Sequence, residues 1–295
     1  MQCFRRLVAR FSIIAAALAA SFSTGVSSAM AQVPQNWQIG MQTPHSPVAE
    51  DIQSLHTIVL WIITVITLFV LGLLLYAVWR FDAKRNPTPS QFSHNTFIEI
   101  AWTLIPVLIL VGIAIPSFRL IYFQDRTLNA DMTIKVTGHQ WYWEYTYPDN
   151  DNINFQSYAV KDEDLKPGQL RLLDVDNPLV LPVGKNVRIL TTSADVIHSF
   201  FIPSLGVQRY AIPGRTIETW VRVNDTGIFY GECNQICGTN HSDMPIKVQG
   251  VPEAEFVAWL ADAKKKFASD LPAVPAPTAV AQAAIAQAAV AQVSH

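Results

Sequence analysis

The sequence predicts a two-helix transmembrane hairpin followed by an all-β sandwich domain. Two long apolar segments, residues 55–79 and 100–118, contain no Asp, Glu, Lys or Arg, and each is long enough to cross ~30 Å of hydrocarbon with modest tilt. After residue 122 the composition changes to short runs rich in β-branched and aromatic residues, separated by turns of Gly, Pro, Asn and Asp. This pattern is typical of an antiparallel sandwich or barrel.

The N-terminus has the layout of a secretory signal peptide. Three arginines precede a short apolar stretch, and Ala29 and Ala31 are small residues at the two positions that a signal peptidase reads. We therefore expect residues 1–31 to be removed, with cleavage after Ala31. An uncleaved anchor is the alternative, but the apolar stretch is too short to span a membrane.

The charges around the two spans predict their orientation. The connection at residues 80–99 contains Arg80, Lys84 and Arg85, whereas residues 32–54 contain no Lys or Arg. Because positive residues stay inside, the connection is expected in the cytoplasm and both ends of the hairpin in the periplasm. The alternative for each span is the core helix of a soluble protein.

The predicted organisation has six parts. They are a signal peptide (1–31), a periplasmic segment (32–54), the transmembrane hairpin (55–123, with spans at about 55–79 and 100–122), the β-domain (124–250), an amphipathic C-terminal helix (251–269) and a low-complexity Ala/Val/Gln/Pro tail (270–295). The expected β-rich runs are residues 133–147, 170–175, 186–192, 196–202, 216–223, 228–232 and 246–248.

The exported domain is acidic although the whole chain is nearly neutral. Residues 124–270 hold 14 Lys and Arg against 19 Asp and Glu, whereas the full chain of 295 residues has a net charge of -2. Nothing in this balance indicates a nucleic-acid partner. An acidic face raises the association rate of a basic protein partner, although solubility alone also accounts for the charge.

One loop concentrates soft metal ligands. Cys233, Cys237, His241 and Met244 lie within twelve residues, and thiolate, thioether and imidazole together favour copper. A mononuclear blue-copper site uses a single thiolate, so the extra one indicates two copper ions bridged by both sulfurs. His198, on a predicted strand, is the candidate second imidazole. The alternatives are a disulfide, the usual state of two cysteines in an exported domain, and zinc, for which methionine is a poor ligand.

At these residues the chain resembles the cytochrome c oxidase subunit II family, of the α-proteobacterial and mitochondrial type, over about residues 40–265. The motifs that carry the resemblance are Gly-His-Gln-Trp-Tyr-Trp at 138–143, Asp-Val-Ile-His-Ser-Phe at 195–200, Ile-Pro-Gly-Arg at 212–215 and Cys-x3-Cys-x3-His-x2-Met at 233–244. The resemblance implies a cupredoxin-like sandwich that holds the binuclear copper centre called CuA.

The resemblance also implies the ligand set. Cys233 and Cys237 would bridge the two coppers, His198 and His241 would each bind one, and Met244 would be a weak ligand. A further ligand would be the backbone carbonyl of Gln235, where the family usually has Glu. Because that carboxylate also helps to bind magnesium at the junction with subunit I, and an amide is a weaker ligand for hard cations, we expect a weakened magnesium site.

The remaining implied roles concern electron and proton transfer. Trp141 would be the electron-input aromatic between docked cytochrome c and the copper, and Glu99 would lie at the mouth of a proton path into subunit I; an interfacial carboxylate without function is the alternative for Glu99. The implied docking acid is Asp195, to which three more acids could add: Glu144, Asp149 and Asp151.

The function so implied is electron input to an aerobic respiratory oxidase. The chain would accept electrons from reduced cytochrome c and pass them to haem in subunit I, which reduces oxygen to water and translocates protons. Its partners would be cytochrome c, the haem–copper subunit I, further oxidase subunits and membrane lipid, in the bacterial inner membrane as a multi-pass protein with its C-terminal domain in the periplasm. The alternatives are a copper-free subunit of a quinol oxidase and a standalone anchored cupredoxin that carries copper.

Overall fold

The computed structural model describes residues 33–88, 90–125 and 129–267. The predicted signal peptide and low-complexity tail lie outside these residues. In chain order the elements are α1 Pro47–Arg80, α2 Thr96–Asp125, β1 Met132–His139, β2 Tyr142–Tyr147, β3 Ile153–Ser157, β4 Leu179–Pro182, β5 Val187–Ser193, β6 His198–Ile202, β7 Val207–Ala211, β8 Ile217–Val221, β9 Gly227–Cys233, β10 Pro245–Val251 and α3 Glu253–Phe267.

The helices α1 and α2 form the hairpin and present apolar side chains outward along most of their length. Phe69, Leu74, Leu108 and Leu110 are among more than twenty large hydrophobic residues that are exposed on the two helices. The most apolar stretch of each helix contains no buried residue, which excludes the soluble core-helix alternative. A surface this apolar is stable in lipid and not in water, so the hairpin is transmembrane, as predicted.

The N-terminus of α1 is fixed to the β-domain. Ser46 is the N-cap: its hydroxyl accepts a hydrogen bond from the backbone N–H of Ala49 at 3.0 Å and donates one to the carbonyl of Leu205 at 2.6 Å. Pro47 follows at the first helical position, where its missing N–H costs nothing. Because Ser46 and Ala49 are buried, the first turn of α1 lies in the contact between this helix and the β-domain.

The C-terminus of α2 is attached to the same domain. The indole N–H of Trp220 donates to the carbonyl of Phe123 at 2.8 Å, and the carbonyl of Gln124 accepts from Thr219 at 3.0 Å and from Arg209 at 3.0 Å. These donors satisfy carbonyls that have no partner inside the helix. Both ends of the hairpin therefore lie on the side of the β-domain, and the short connection lies at the far end.

The β-domain consists of two five-stranded sheets. The strand order is β3-β2-β1-β5-β8 in the first sheet and β4-β10-β9-β6-β7 in the second. The predicted sandwich is confirmed, but two pairs are parallel, β1 with β5 and β4 with β10, so the expected antiparallel pairing was wrong for these two pairs. Aromatic residues of β2 alternate inward and fill the space between the sheets, with Trp143, Tyr145 and Tyr147 fully buried.

Several strand predictions differ from the structure. The run 133–147 is two strands with a tight turn at Gln140 and Trp141. The run 170–175 was wrong: it forms turns, because the buried carboxylate of Asp174 accepts the backbone N–H of Leu170 at 2.6 Å and closes the chain on itself. The strands β3, β4 and β7, which are four or five residues long, were not predicted.

Candidate metal centre

Two neighbouring strands of the second sheet bring the predicted ligands together. Phe200 on β6 pairs with Cys233 at the end of β9, and this register places His198, at the start of β6, beside the loop that follows β9. That loop contains Cys237 and leads through a short 3-10 turn, His241–Asp243, into β10. His198 and both cysteines are buried.

The potential ligand atoms are close to one another. The sulfurs of Cys233 and Cys237 are 3.9 Å apart, Nδ1 of His198 is 4.0 Å from the Cys233 sulfur, and Nδ1 of His241 is 3.5 Å from the Cys237 sulfur. The ligand atoms of His198 and the two cysteines all lie within 4.8 Å of one another. Such a cluster of thiols and imidazole can hold a metal ion.

The two cysteines are free, so the disulfide alternative is not found in the structure. Their separation of 3.9 Å is well above the S–S bond length of about 2.05 Å. A metal that binds both sulfurs at about 2.3 Å each requires them to be less than about 4.6 Å apart. The pair satisfies that limit, and the soft donor set is the one that copper prefers.

The other two predicted ligands border this cluster. The carbonyl of Gln235 accepts from the Cys233 thiol at 3.3 Å, which places that oxygen beside the sulfur. The side chain of Met244 is fully buried, and its backbone carbonyl accepts the N–H of Cys233 at 3.1 Å. All six predicted ligand residues therefore belong to one corner of the domain.

Asp195 holds the ring of His198 in a fixed orientation. Its carboxylate is 2.8 Å from Nε2 of His198 and accepts the backbone N–H groups of Gln140 and Val196, each at 2.6 Å. Burial raises the pKa of Asp195, but the hydrogen bonds from His198, Val196 and Gln140 outweigh it and hold the pKa below its ordinary value. With Nε2 bound to Asp195, Nδ1 is left facing the sulfur; a carboxylate that binds the other ring nitrogen commonly orients a metal-binding histidine in this way.

The thiols carry unequal pKa values. Burial raises the pKa of Cys233, but the hydrogen bonds that it receives, first that of His198, lower it to about 7. Burial and then the charge of the neighbouring Cys233 raise the pKa of Cys237 to about 12. Two adjacent thiolates therefore require a compensating positive charge, which a bound metal supplies with release of protons.

Trp141 lies directly against the ligand loop. An added Cβ on Gly238, the residue after Cys237, would be 3.0 Å from Cζ2 of Trp141, so the indole packs on the glycine backbone. The neighbouring side chain of Gln140 donates its amide N–H to the carbonyl of Cys237 at 2.6 Å. The turn between β1 and β2 thus covers the loop and places an aromatic ring between it and solvent.

The structure separates the predicted docking acids into two groups. Asp195 and Glu144 lie at the Trp141 end of β2, where Glu144 is 3.7 Å from His139. Asp149 and Asp151 belong to the turn that follows the other end of this six-residue strand. Asp149 accepts the backbone N–H of Thr133, and Asp151 pairs with Lys264 at 2.5 Å. A docking role for all four acids stays a prediction.

Sequence reasoning missed two features of the site. One is the hydrogen bond between Asp195 and His198, for which a signal existed because a carboxylate three residues from an imidazole ligand is a common positioning arrangement. The other is the close approach of Gly138 to His198: an added Cβ would be 2.7 Å from Cδ2 of the ring. That contact joins β1 to β6 across the two sheets and has no local sequence signal.

Fold and site together define a class: a membrane-anchored β-sandwich protein with a buried thiol–imidazole cluster that can hold a metal ion. Comparison with known proteins identifies the family. The protein-family model for the periplasmic domain of cytochrome c oxidase subunit II matches residues 132–251. The family model for the transmembrane domain of subunit II matches residues 34–120. The chain belongs to the cytochrome c oxidase subunit II family, which confirms the resemblance seen in the sequence, and is thus a subunit of an oxidoreductase complex.

Relatives match along most of their length. The chain is 49% identical to a probable cytochrome c oxidase subunit 2 of Rickettsia bellii (strain RML369-C), over 82% of this chain and 90% of the relative. It is 45% identical to cytochrome c oxidase subunit 2 of Cyanidium caldarium, over 76% and 90%. The crystal structure of the periplasmic domain of subunit II of cytochrome oxidase of Bradyrhizobium japonicum is 49% identical, covers 48% of this chain and 99% of that chain, and has a TM-score of 0.45.

Proposed function

We propose that this chain is the electron-input subunit of a cytochrome c oxidase and that it carries a binuclear CuA centre. The observation that supports this most directly is the cluster of two free, buried thiols 3.9 Å apart, each with an imidazole nitrogen within 4.0 Å. Cys233 and Cys237 would bridge, His198 and His241 would each bind one copper, and Met244 and the Gln235 carbonyl would complete the site.

When bound, the copper pair would accept one electron from reduced cytochrome c and release it to haem in subunit I, where oxygen is reduced to water and protons are translocated. The protein's own residues hold the ligands in place. Asp195 orients His198, burial excludes water, and the sheet register between β6 and β9 fixes the distance from imidazole to sulfur. Ligands that are fixed before and after electron transfer need little rearrangement, and small rearrangement allows fast transfer.

Trp141 is proposed as the site of electron input. Its ring contacts the backbone of Gly238 beside Cys237, and the residue is only partly buried, so Trp141 lies against the ligand loop and is partly accessible from solvent. The nearby carboxylates of Asp195 and Glu144 would attract a basic cytochrome c. The bacterial inner membrane, with the β-domain in the periplasm, is the proposed location.

Replacing Trp141 with Phe tests this proposal. We expect reduction of the copper centre by reduced cytochrome c to slow by about tenfold, an increase of about 1.4 kcal/mol in the barrier, while copper content stays at two per chain. Stopped-flow absorbance of the purified oxidase measures the rate. Trp220→Phe is the matched control, because Trp220 contacts α2 and not the ligand loop. Equal rates for Trp141→Phe and the parent protein would contradict the proposal.

Glu99 is proposed to take up protons at the cytoplasmic end of α2. It lines a cleft of about 440 Å³ with Thr96 and Thr103. Its carboxylate also accepts the backbone N–H of Asn95 at 3.3 Å, so it caps the helix as well. Glu99→Gln separates the two roles, since glutamine retains the acceptor oxygen but carries no proton.

We expect Glu99→Gln to slow proton-coupled oxygen consumption severalfold with unchanged copper content and unchanged reduction by cytochrome c. Glu99→Ala would show the same loss together with lower thermal stability, because it also removes the cap. Oxygen-electrode turnover and calorimetry of the purified complex provide the two measurements. Full turnover in Glu99→Gln would contradict proton uptake by Glu99 and leave helix capping as its only role.

Gln235 is proposed to weaken a magnesium site at the junction with subunit I. An amide oxygen lacks the negative charge that Mg²⁺ prefers. Gln235→Glu should therefore increase the magnesium that remains in the oxidase after dialysis against a chelator, with copper unchanged because the carbonyl at this position is backbone. Metal analysis before and after dialysis decides the question: magnesium held equally by the parent and the variant would refute it.

A further inference from the structure

A cleft between the two membrane helices contains two opposite charges that do not bind each other. Its volume is about 290 Å³, and Asp51 of α1 and Arg119 of α2 lie on its wall with Leu55, Ile58 and Leu120. Neither charged side chain makes a hydrogen bond or an ion pair of 4.0 Å or less with any other residue in 33–88, 90–125 or 129–267. Both side chains are exposed.

The position of the cleft corresponds to the surface of the membrane on the side of the β-domain. Arg119 comes directly after the uncharged part of α2, and Asp51 precedes the uncharged part of α1 by one helical turn. Lipid headgroups occupy this level, and the hydrocarbon begins beyond it. The apolar wall of the cleft extends from the headgroup level toward the hydrocarbon, because Leu55 and Ile58 lie one and two turns further along the helix face that carries Asp51.

We propose that this cleft binds the headgroup of one zwitterionic phospholipid of the outer leaflet. The phosphate would lie against the guanidinium of Arg119, which is suited to phosphate recognition. The ammonium would lie against the carboxylate of Asp51, and the acyl chains would follow Leu55, Ile58 and Leu120. The carboxylate beside the arginine disfavours an anionic headgroup such as that of phosphatidylglycerol, which has no ammonium to neutralise Asp51. This inference is independent of the metal centre.

Native mass spectrometry of the purified oxidase complex, after exchange into nanodiscs of phosphatidylethanolamine or phosphatidylglycerol, tests the proposal. The parent complex is expected to retain phosphatidylethanolamine on this subunit. Arg119→Gln should lower that retention about tenfold, the loss expected for a hydrogen bond to a charged group. Asp51→Asn should lower retention of phosphatidylethanolamine and raise that of phosphatidylglycerol, so that the preference reverses.

Two further variants separate binding from assembly. Arg171→Gln removes an equal charge from an exposed position on the β-domain and should leave lipid retention unchanged. The double variant Asp51→Arg with Arg119→Asp keeps both charges with exchanged positions and should restore the retention that each single change lowers. Equal retention of both lipids by the parent complex, unchanged retention in Arg119→Gln, or a segment of a partner subunit seated in the cleft in a structure of the complex would overturn the proposal.

Discussion

Replacing Cys237 with Ser is expected to remove both copper ions from the protein. A serine hydroxyl is a hard donor that stays protonated at neutral pH, whereas a thiolate is soft and polarisable. With Cys237 lost, the Cys233 sulfur has no second thiolate within 3.9 Å, and a bridged pair cannot form. Electron input from cytochrome c should then fall to the level of copper-free protein.

Copper analysis of the purified oxidase, together with the visible absorbance of the copper–thiolate centre, measures this loss. Ile236→Ser is the matched control, because it introduces the same side chain one position earlier, where the native residue is 80% exposed. The fold should survive in both variants, since the loop is also held by the hydrogen bond from Gln140 to the carbonyl of residue 237. Full copper content in Cys237→Ser would refute the bridging role.

The sequence was sufficient for the parts of the fold that depend on local pattern. Each membrane span is a continuous uncharged run, and hydropathy is a strong signal because a bilayer tolerates few other structures. The candidate ligand loop was predicted for a similar reason, since four side chains of metal-ligand type lie within twelve residues. His198 was predicted as a ligand because the donor set needs a second imidazole and because of the resemblance. The structure places its Nδ1 beside the Cys233 sulfur.

The features that were not predicted depend on tertiary contacts. The parallel pairing of β1 with β5 involves strands that are about fifty residues apart, and no local pattern specifies such a pairing. The turns at residues 170–175 are formed around Asp174, whose buried carboxylate also receives Lys247 and the Tyr230 hydroxyl. The sequence of this run has strand propensity, but the contacts of a single buried carboxylate override it.

Gly138→Ala is expected to weaken copper binding without removing any ligand. The added methyl group would lie 2.7 Å from Cδ2 and 3.0 Å from Cγ of the His198 ring, closer than carbon atoms approach without repulsion. The ring cannot move away freely, because Asp195 holds Nε2 at 2.8 Å and Trp143 packs against it edge-on at 6.0 Å between centroids. The strain should cost about 1–3 kcal/mol and displace Nδ1 from the Cys233 sulfur.

We therefore expect a lower copper affinity and a lower melting temperature in Gly138→Ala, measured by competition with a copper chelator and by calorimetry. Gly40→Ala is the control, since an added Cβ there meets no atom within 4 Å in the part of the chain that the structure describes. Trp143→Phe combined with Gly138→Ala should restore part of the affinity, because Trp143 lies opposite Gly138 on β2 and its indole nitrogen has no hydrogen-bond partner among the described residues. Rescue by a smaller ring would identify steric displacement of His198 as the cause, whereas parent-level affinity in Gly138→Ala alone would contradict the close packing that positions this ligand.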